Sequence, residues 1–369
     1  MQNLVMACKR SPPEFHIPAS PNTVNIRIID STTRIGKLAL EFLMEPPMNG
    51  MQYMPIIPSW SFLIEHGSGK KLLFDMGVPK DWRKMAPVVA KSLESHGWDI
   101  NVDKEVVDIL SGHGLAADEI SGIIWSHWHW DHIGDPSRFP SSTELIVGPG
   151  FSDHLLPGYP KNPDSPVRES DLSGRNLREI RFSNDVKIGR FRALDFFGDG
   201  SFYLLDTPGH TIGHLGGLAR TTTNPNTFIF MGGDLCHHGG EIRPSNHLQI
   251  PSDINILDPP NTNLPCPGAA IYDRLQASRN RSSNQPFFDP GMASDIEETK
   301  NTISKAQEAD SQGNIWFIYS HDPSLLGIAD LFPLSANEWK KHNWRQKTLW
   351  AFLQDFSSAL KLLRENEHC

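Results

Sequence analysis

The segment Ser126-His127-Trp128-His129-Trp130-Asp131-His132 gathers three imidazoles and a carboxylate within six positions. Nitrogen and oxygen donors at this density are the makings of a metal site. Alternate side chains leave an extended backbone on the same face, so His127 and His129 are predicted to converge on one ion while Asp131 and His132 reach a second. The same alternation sends Trp128 and Trp130 away from the ligands, to pack beneath them.

Such ligands need a strand that ends where they begin, and the apolar run 120–125 supplies one. Three further candidates stand at similar places. His210 follows Leu205-Asp206-Thr207-Pro208-Gly209, Asp234 follows an apolar run closed by Gly232-Gly233, and His321 follows the run 315–320. Each alone reads as a turn residue. With the opening segment they give five histidines and two aspartates at strand ends, a pattern rather than a local cluster.

Other elements frame these. Residues 1–22 are polar and proline-punctuated and read as a flexible leader; a single domain is expected over 23–369, opening with a strand at 23–29. Strands are predicted at 60–65 and 71–74 around the hairpin residues His66-Gly67-Ser68-Gly69, and at 144–147, 202–205, 215–219, 227–231 and 315–319. Helical spacing appears at 101–110 and 294–312 and in a C-terminal helical region, 337–364. The stretch 239–290, rich in Pro, Asn, Asp and Ser, is too long for an ordinary connection and reads as an insertion or cap, or as a dimer contact through Ile242, Leu248, Leu264 and Phe287.

Composition narrows the class. A 369-residue chain with 38% hydrophobic residues can bury a large core. Its net charge of −9 and the lack of a basic run argue against a nucleic-acid partner. No stretch approaches a membrane span. The N-terminal apolar run is too short for a signal peptide, and the four scattered cysteines suggest neither disulfides nor a thiolate site, so a reducing, cytoplasmic setting is expected.

The HxHxDH segment, followed in order by His210, Asp234 and His321, resembles the metallo-β-lactamase superfamily. The resemblance spans roughly residues 22–323 and implies an α/β fold, a four-layer αββα sandwich with metals at one edge of two sheets. It implies that His127, His129 and His210 hold a first zinc, that Asp131, His132 and His321 hold a second, and that Asp234 bridges them. Asp75 matches the family's early aspartate, which supports the ligands from behind. His214 is expected to brace the His210 turn rather than bind metal. Imidazole and carboxylate donors without thiolate suit two Zn²⁺, with Mn²⁺, Fe²⁺ or Co²⁺ as substitutes. A histidine at 129, where the flavodi-iron branch carries glutamate, points to hydrolysis rather than redox chemistry.

Within the superfamily the chain looks most like the N-acyl homoserine lactonase-like branch, including its fungal members. That likeness implies a hydrolase opening a small, neutral cyclic ester, or a lactam or cyclic carbamate such as a benzoxazolinone-type plant defence compound, a role in xenobiotic degradation. Two ions about 3.5–4 Å apart would lower the pKa of a bridging water so that hydroxide attacks the carbonyl. Asp131 would pass a proton to the leaving group. Those lactonases carry a tyrosine shortly after the bridging aspartate; here the sequence reads Asp234-Leu235-Cys236-His237-His238, and His237 is the candidate for the missing hydrogen-bond donor. The methionines between 42 and 60, with Tyr53, are candidates for an adaptable apolar substrate wall. The alternative is a thioesterase or glyoxalase II-like hydrolase of acyl thioesters, which predicts a basic pocket; a metal-binding member without catalysis is a third reading. Monomer and homodimer both remain open.

Overall fold

The computed structural model describes residues 13–252, 254 and 269–366. Two six-stranded sheets, each built in chain order, face one another. The first comprises β1 (Val24–Asp30), β2 (Trp60–His66), β3 (Lys71–Phe74), β4 (Gly122–Ile124), β5 (Glu144–Val147) and β6 (Leu177–Glu179). The second comprises β7 (Lys187–Ile188), β8 (Phe191–Asp195), β9 (Phe202–Asp206), β10 (Leu215–Thr223), β11 (Asn226–Met231) and β12 (Ile315–Ile318). Antiparallel pairing gives way to parallel pairing from β3 to β6 and again between β11 and β12. The ends of β3, β4, β11 and β12 are followed by Asp75, the histidine segment, Asp234 and His321.

The strand sequences explain the layering. Along β1, Val24, Ile26 and Ile28 alternate into the space between the sheets, where they meet Phe62, Phe74, Leu204, Ile229, Trp316 and Ile318. Ile123, Leu145 and Val147 face the other way, onto α1 (Pro87–His96) and α2 (Val106–Gly112), which contribute Leu93, Val106 and Leu110. On the far side of the second sheet, α4 (Ile296–Asp310) lays Ile303, Ala306 and Ala309 against Phe230 and Phe317; the shorter α3 (Ala269–Ser278) precedes it. The result is the expected four-layer αββα sandwich.

A fourth apolar cluster lies beyond the sandwich. Met44, Met48, Met51 and Met54 are buried there with Ile271 and Tyr272 of α3, Phe287, and the C-terminal Phe352 and Phe356. Residues 239–290 contribute a short helix (Gly239–Ile242), α3, and the strand Asp289–Pro290, which pairs with Met44–Glu45. This segment and the C-terminus therefore close over one end of the molecule together. Leu264, offered from sequence as a contact residue, lies outside the described residues.

Three expectations are modified. Residues 101–110 are not one helix: Asp99–Val102 pairs as a strand with Thr33–Gly36, and α2 starts at Val106. The C-terminal helical region is broken into Trp344–Thr348, a 3₁₀ stretch Ala351–Phe356 and α5 (Ser357–Asn366). Residues 1–12 of the polar leader lie outside the described residues, and 13–22 are fastened rather than loose. Pro18 O accepts from Arg220, His16 O from Gly189 N and Pro13 O from Gln312, while Phe15 and Ile17 pack on the second sheet's outer face. No described helix is long and apolar enough to cross a membrane.

Candidate metal centre

The histidine segment is a turn, not a strand. After β4 the chain bends, and His132 N–H donates to His129 O at 3.1 Å. The segment is fixed from both sides: Leu215 N–H donates to Ser126 O at 2.7 Å, tying it to the second sheet, and Ser126 N–H donates to Asp75 Oδ1 at 2.7 Å. Asp75 sits at φ +58°, an uncommon backbone for a non-glycine residue, which aspartate tolerates better than most. Its other oxygen accepts from Ser126 Oγ at 2.7 Å and lies 2.9 Å from His132 Nδ1. His132 is therefore turned with Nε2 toward the centre.

All seven sequence-derived candidates come together. Asp234 Oδ2 is the hub: His321 Nε2 lies 3.1 Å away, His132 Nε2 3.2 Å, and His127 Nε2 and His210 Nε2 each 3.8 Å. His210 Nε2 and His129 Nδ1 face each other at 2.9 Å, and Asp131 Oδ2 is 3.5 Å from His321 Nε2. The side chains sort into two donor sets, His127-His129-His210 and Asp131-His132-Asp234-His321, and a third grouping, His210-Asp234-His237, overlaps both.

Glycines permit the approach. Gly233, at φ +57°, has no Cβ; one there would stand 2.7 Å from His214 Nε2. His214 uses that space to accept from Asp234 N–H at 3.0 Å while its Nδ1 contacts Thr207 Oγ1 at 2.8 Å. It thus braces Asp234 as well as its own turn.

Electrostatics match a cation-binding pocket. Burial, reinforced by neighbouring imidazoles, holds His127 and His210 well below the usual histidine range; burial also holds His129 down to about 3 and His214 to about 4. Burial alone would lower His132 too, but the carboxylates of Asp234, Asp131 and Asp75 outweigh it and hold His132 well above its ordinary value. His321 is raised in the same way, chiefly by Asp234, whose own burial is overcome by His132 and His321 so that its carboxyl is held well below the usual range. Burial, partly offset by His132, raises Asp75.

The donors are of the types that hold divalent metal ions. His127 Nε2 and Asp234 Oδ1 are buried without a hydrogen-bond partner, although such groups are nearly always satisfied. Converging imidazole and carboxylate donors, with His132 held from behind by Asp75, are the arrangement a metal would satisfy.

Five of these donors, His129, Asp131, His210, Asp234 and His321, floor a pocket whose walls are apolar: Ile35, Leu38, Phe42, Ile57, Trp98 and Met292 among them. Trp130 also lines it, stacked on Trp98 at 6.1 Å, which corrects the expectation that both tryptophans pack beneath the site. The turn at 129–132 rotates Trp130 outward, whereas Trp128 packs against the helix-covered face of the first sheet. The methionine wall is also corrected. Met44, Met48, Met51 and Met54 are core residues, and Tyr53 is 62% exposed; Met292 is the methionine at the pocket. Trp98 and Met292 escaped the sequence reading because they stand outside any motif.

His237 lies against the hub, its Nε2 3.7 Å from Asp234 Oδ2 and its ring parallel to His321. No tyrosine lines the pocket among the described residues. Glu241, unnoticed in the sequence, is buried beside His237, its Oε2 accepting from the backbone N–H groups of His237 and His238. Its spacing of four from His237 was the available signal.

The fold and the converging donors define a metallo-β-lactamase-type protein. The family model described as "Metallo-beta-lactamase superfamily" matches residues 55–218, and the chain belongs to that superfamily. It is 42% identical over 363 residues to "Gamma-lactamase FDB1" of Fusarium pseudograminearum, an alignment covering 95% of this chain and 87% of that one. It is 41% identical to "Metallo-hydrolase mfmC" of Annulohypoxylon moriforme, over 95% of this chain and 92% of the other. A solved structure of a B. thuringiensis AiiA mutant with N-decanoyl-L-homoserine bound at its active site shares the fold, with a TM-score of 0.56 at 17% identity over 85% of this chain and 99% of that one.

Proposed function

We propose that this protein is a binuclear zinc hydrolase that opens a small cyclic amide or carbamate, with cyclic esters as the neighbouring substrate class. The observation that carries this reading is the convergence of seven donors, six of them buried and four with atoms that lack a hydrogen-bond partner; five of the seven floor an aromatic-walled pocket. In this reading His127, His129 and His210 would hold one ion and Asp131, His132 and His321 the other, with Asp234 shared between them. When bound, such a pair supplies an activated water nucleophile at neutral pH and polarises the carbonyl.

The protein's own residues do the rest. Phe42, Trp98 and Trp130 present ring faces and edges suited to a flat aromatic substrate, and they exclude water from its reacting edge. Asp131 reaches the pocket and carries a proton from the attacking water to the departing nitrogen or oxygen as the ring bond breaks. His237, at the position where related lactonases are expected to carry a tyrosine, lines the pocket beside Asp234 and faces the scissile group. Ring opening leaves both halves of a lactam or lactone in one molecule, whereas the opened carbamate then loses CO2.

Two lines support a lactam or carbamate over a thioester. Neither lysine nor arginine is among the pocket-lining residues, so nothing there would hold the anionic carrier of an acyl thioester. The "Gamma-lactamase FDB1" and "Metallo-hydrolase mfmC" relatives align over nearly the whole chain. The test is a panel of 2-benzoxazolinone, aromatic lactones, acyl homoserine lactones and acyl thioesters. Ring opening of the benzoxazolinone with the highest kcat/KM is expected; activity confined to thioesters would overturn the reading.

A further inference from the structure

Two complementary groups beside the metal floor are left unsatisfied. His237 Nδ1 and Glu241 Oε1 are both buried without a hydrogen-bond partner, and His237 Nδ1 lies 3.6 Å from the same carboxylate's Oε2. Buried polar atoms rarely stay unpaired when a partner stands within a small ring rotation. Glu241 is itself held in place: it lies in the short helix Gly239–Ile242, and its Oε2 accepts from two consecutive backbone N–H groups. A carboxylate in that position accepts and does not donate, so when the His237 ring holds a single hydrogen, that hydrogen belongs on Nδ1. The other nitrogen, Nε2, is then an acceptor, and it is the one on the pocket side, near Asp234.

We propose that the His237–Glu241 pair selects substrates that carry a ring N–H: Glu241 is a positioning residue that fixes the tautomer, and His237 Nε2 accepts the N–H of a cyclic amide or carbamate. The inference rests on the hydrolase reading above and narrows it. An ester oxygen or an N-alkylated ring offers nothing to that acceptor. A site built to hydrogen-bond an N–H discriminates strongly against analogues that lack it.

The metal-loaded protein is assayed with 2-benzoxazolinone, its N-methyl derivative and 2-coumaranone, the corresponding lactone. The wild type is expected to favour the N–H compound over the N-methyl compound by about 10²-fold or more in kcat/KM. His237→Leu removes the acceptor and is expected to bring that ratio to within about 5-fold of unity, with loss mainly on the N–H substrate. Glu241→Gln places an amide donor against Nδ1 and turns Nε2 into a donor. The ratio should collapse in this variant as well, and the double variant should discriminate no worse than either single one. If Glu241→Gln does not fold, Glu241→Asp, which retracts the carboxylate by one methylene, is expected to weaken the same ratio.

A merely structural role for Glu241 would lower all three substrates alike and leave the ratio intact, which overturns the proposal. An unselective wild type that still opens 2-benzoxazolinone overturns it too, while the hydrolase reading stands. Failure of the wild type to open any cyclic amide or ester removes that reading and this inference together.

Discussion

Asp75 Oδ2 lies 2.9 Å from His132 Nδ1, a contact that joins the end of β3 to the turn after β4 and sets which nitrogen of His132 faces the centre. A partner behind a metal-binding imidazole typically tunes affinity by 10–100-fold. Asp75→Asn is a clean probe because asparagine also tolerates the left-handed backbone found there. Zinc affinity measured by chelator competition is expected to fall by roughly 10–100-fold, with secondary structure unchanged. Undiminished affinity would mean that the contact is incidental.

Asp131 is assigned two tasks, holding metal and moving a proton. Asp131→Asn keeps the side chain's shape but removes its capacity as a proton carrier. Turnover is expected to drop by about 10²-fold or more, while metal content measured by mass spectrometry falls by less than half. Parallel loss of both would leave it a ligand alone.

Loading the metal-free protein should release protons. His132 is held well above its ordinary pKa and His321 is raised, so near pH 7 at least the first carries a proton that a metal must displace. His127, His129 and His210 are depressed and already neutral there, so they contribute none. Because His132 is protonated until the pH rises through its elevated pKa, its share of the release, beyond the proton given up by the activated water, should be about one at pH 7 and decline in alkaline buffer. Titration calorimetry in buffers of different ionisation enthalpy measures it. Zero release at pH 7 would contradict the charge distribution described.

How much of this was legible without coordinates follows from the physics of each part. The candidate ligands were readable because metal chemistry demands particular residue types in order at strand ends, and the strands delivering them are dense apolar runs. The shape of the segment 126–132 was not: the His132-to-His129 turn depends on anchors at Asp75 and Leu215, far away in sequence. Trp130 was misplaced for that reason. The four buried methionines look the same in sequence whether they face substrate or core, and only their packing on Phe352 and Phe356 decides it. Trp98, Met292 and Glu241 belong to no motif and become functional candidates only through what they adjoin.

Behind the site, Arg243 and Asp310 form a buried ion pair at 2.7 Å, linking the helix that carries Glu241 to the end of α4. Asp310→Ala would strand the Arg243 guanidinium away from water, a change costing about 3–5 kcal/mol. Chemical denaturation is expected to show a loss of that size. A change under about 1 kcal/mol would place the pair in solvent instead.

The central claim is that the seven donors form one two-metal hydrolytic centre. Its most direct test is metal analysis of the purified, zinc-supplemented protein, paired with hydrolysis of 2-benzoxazolinone by the same sample. About two zinc ions per chain, together with ring opening abolished by chelation and restored by zinc, is the predicted result. Less than one equivalent of bound metal, with no hydrolysis of any cyclic amide or ester, would contradict it.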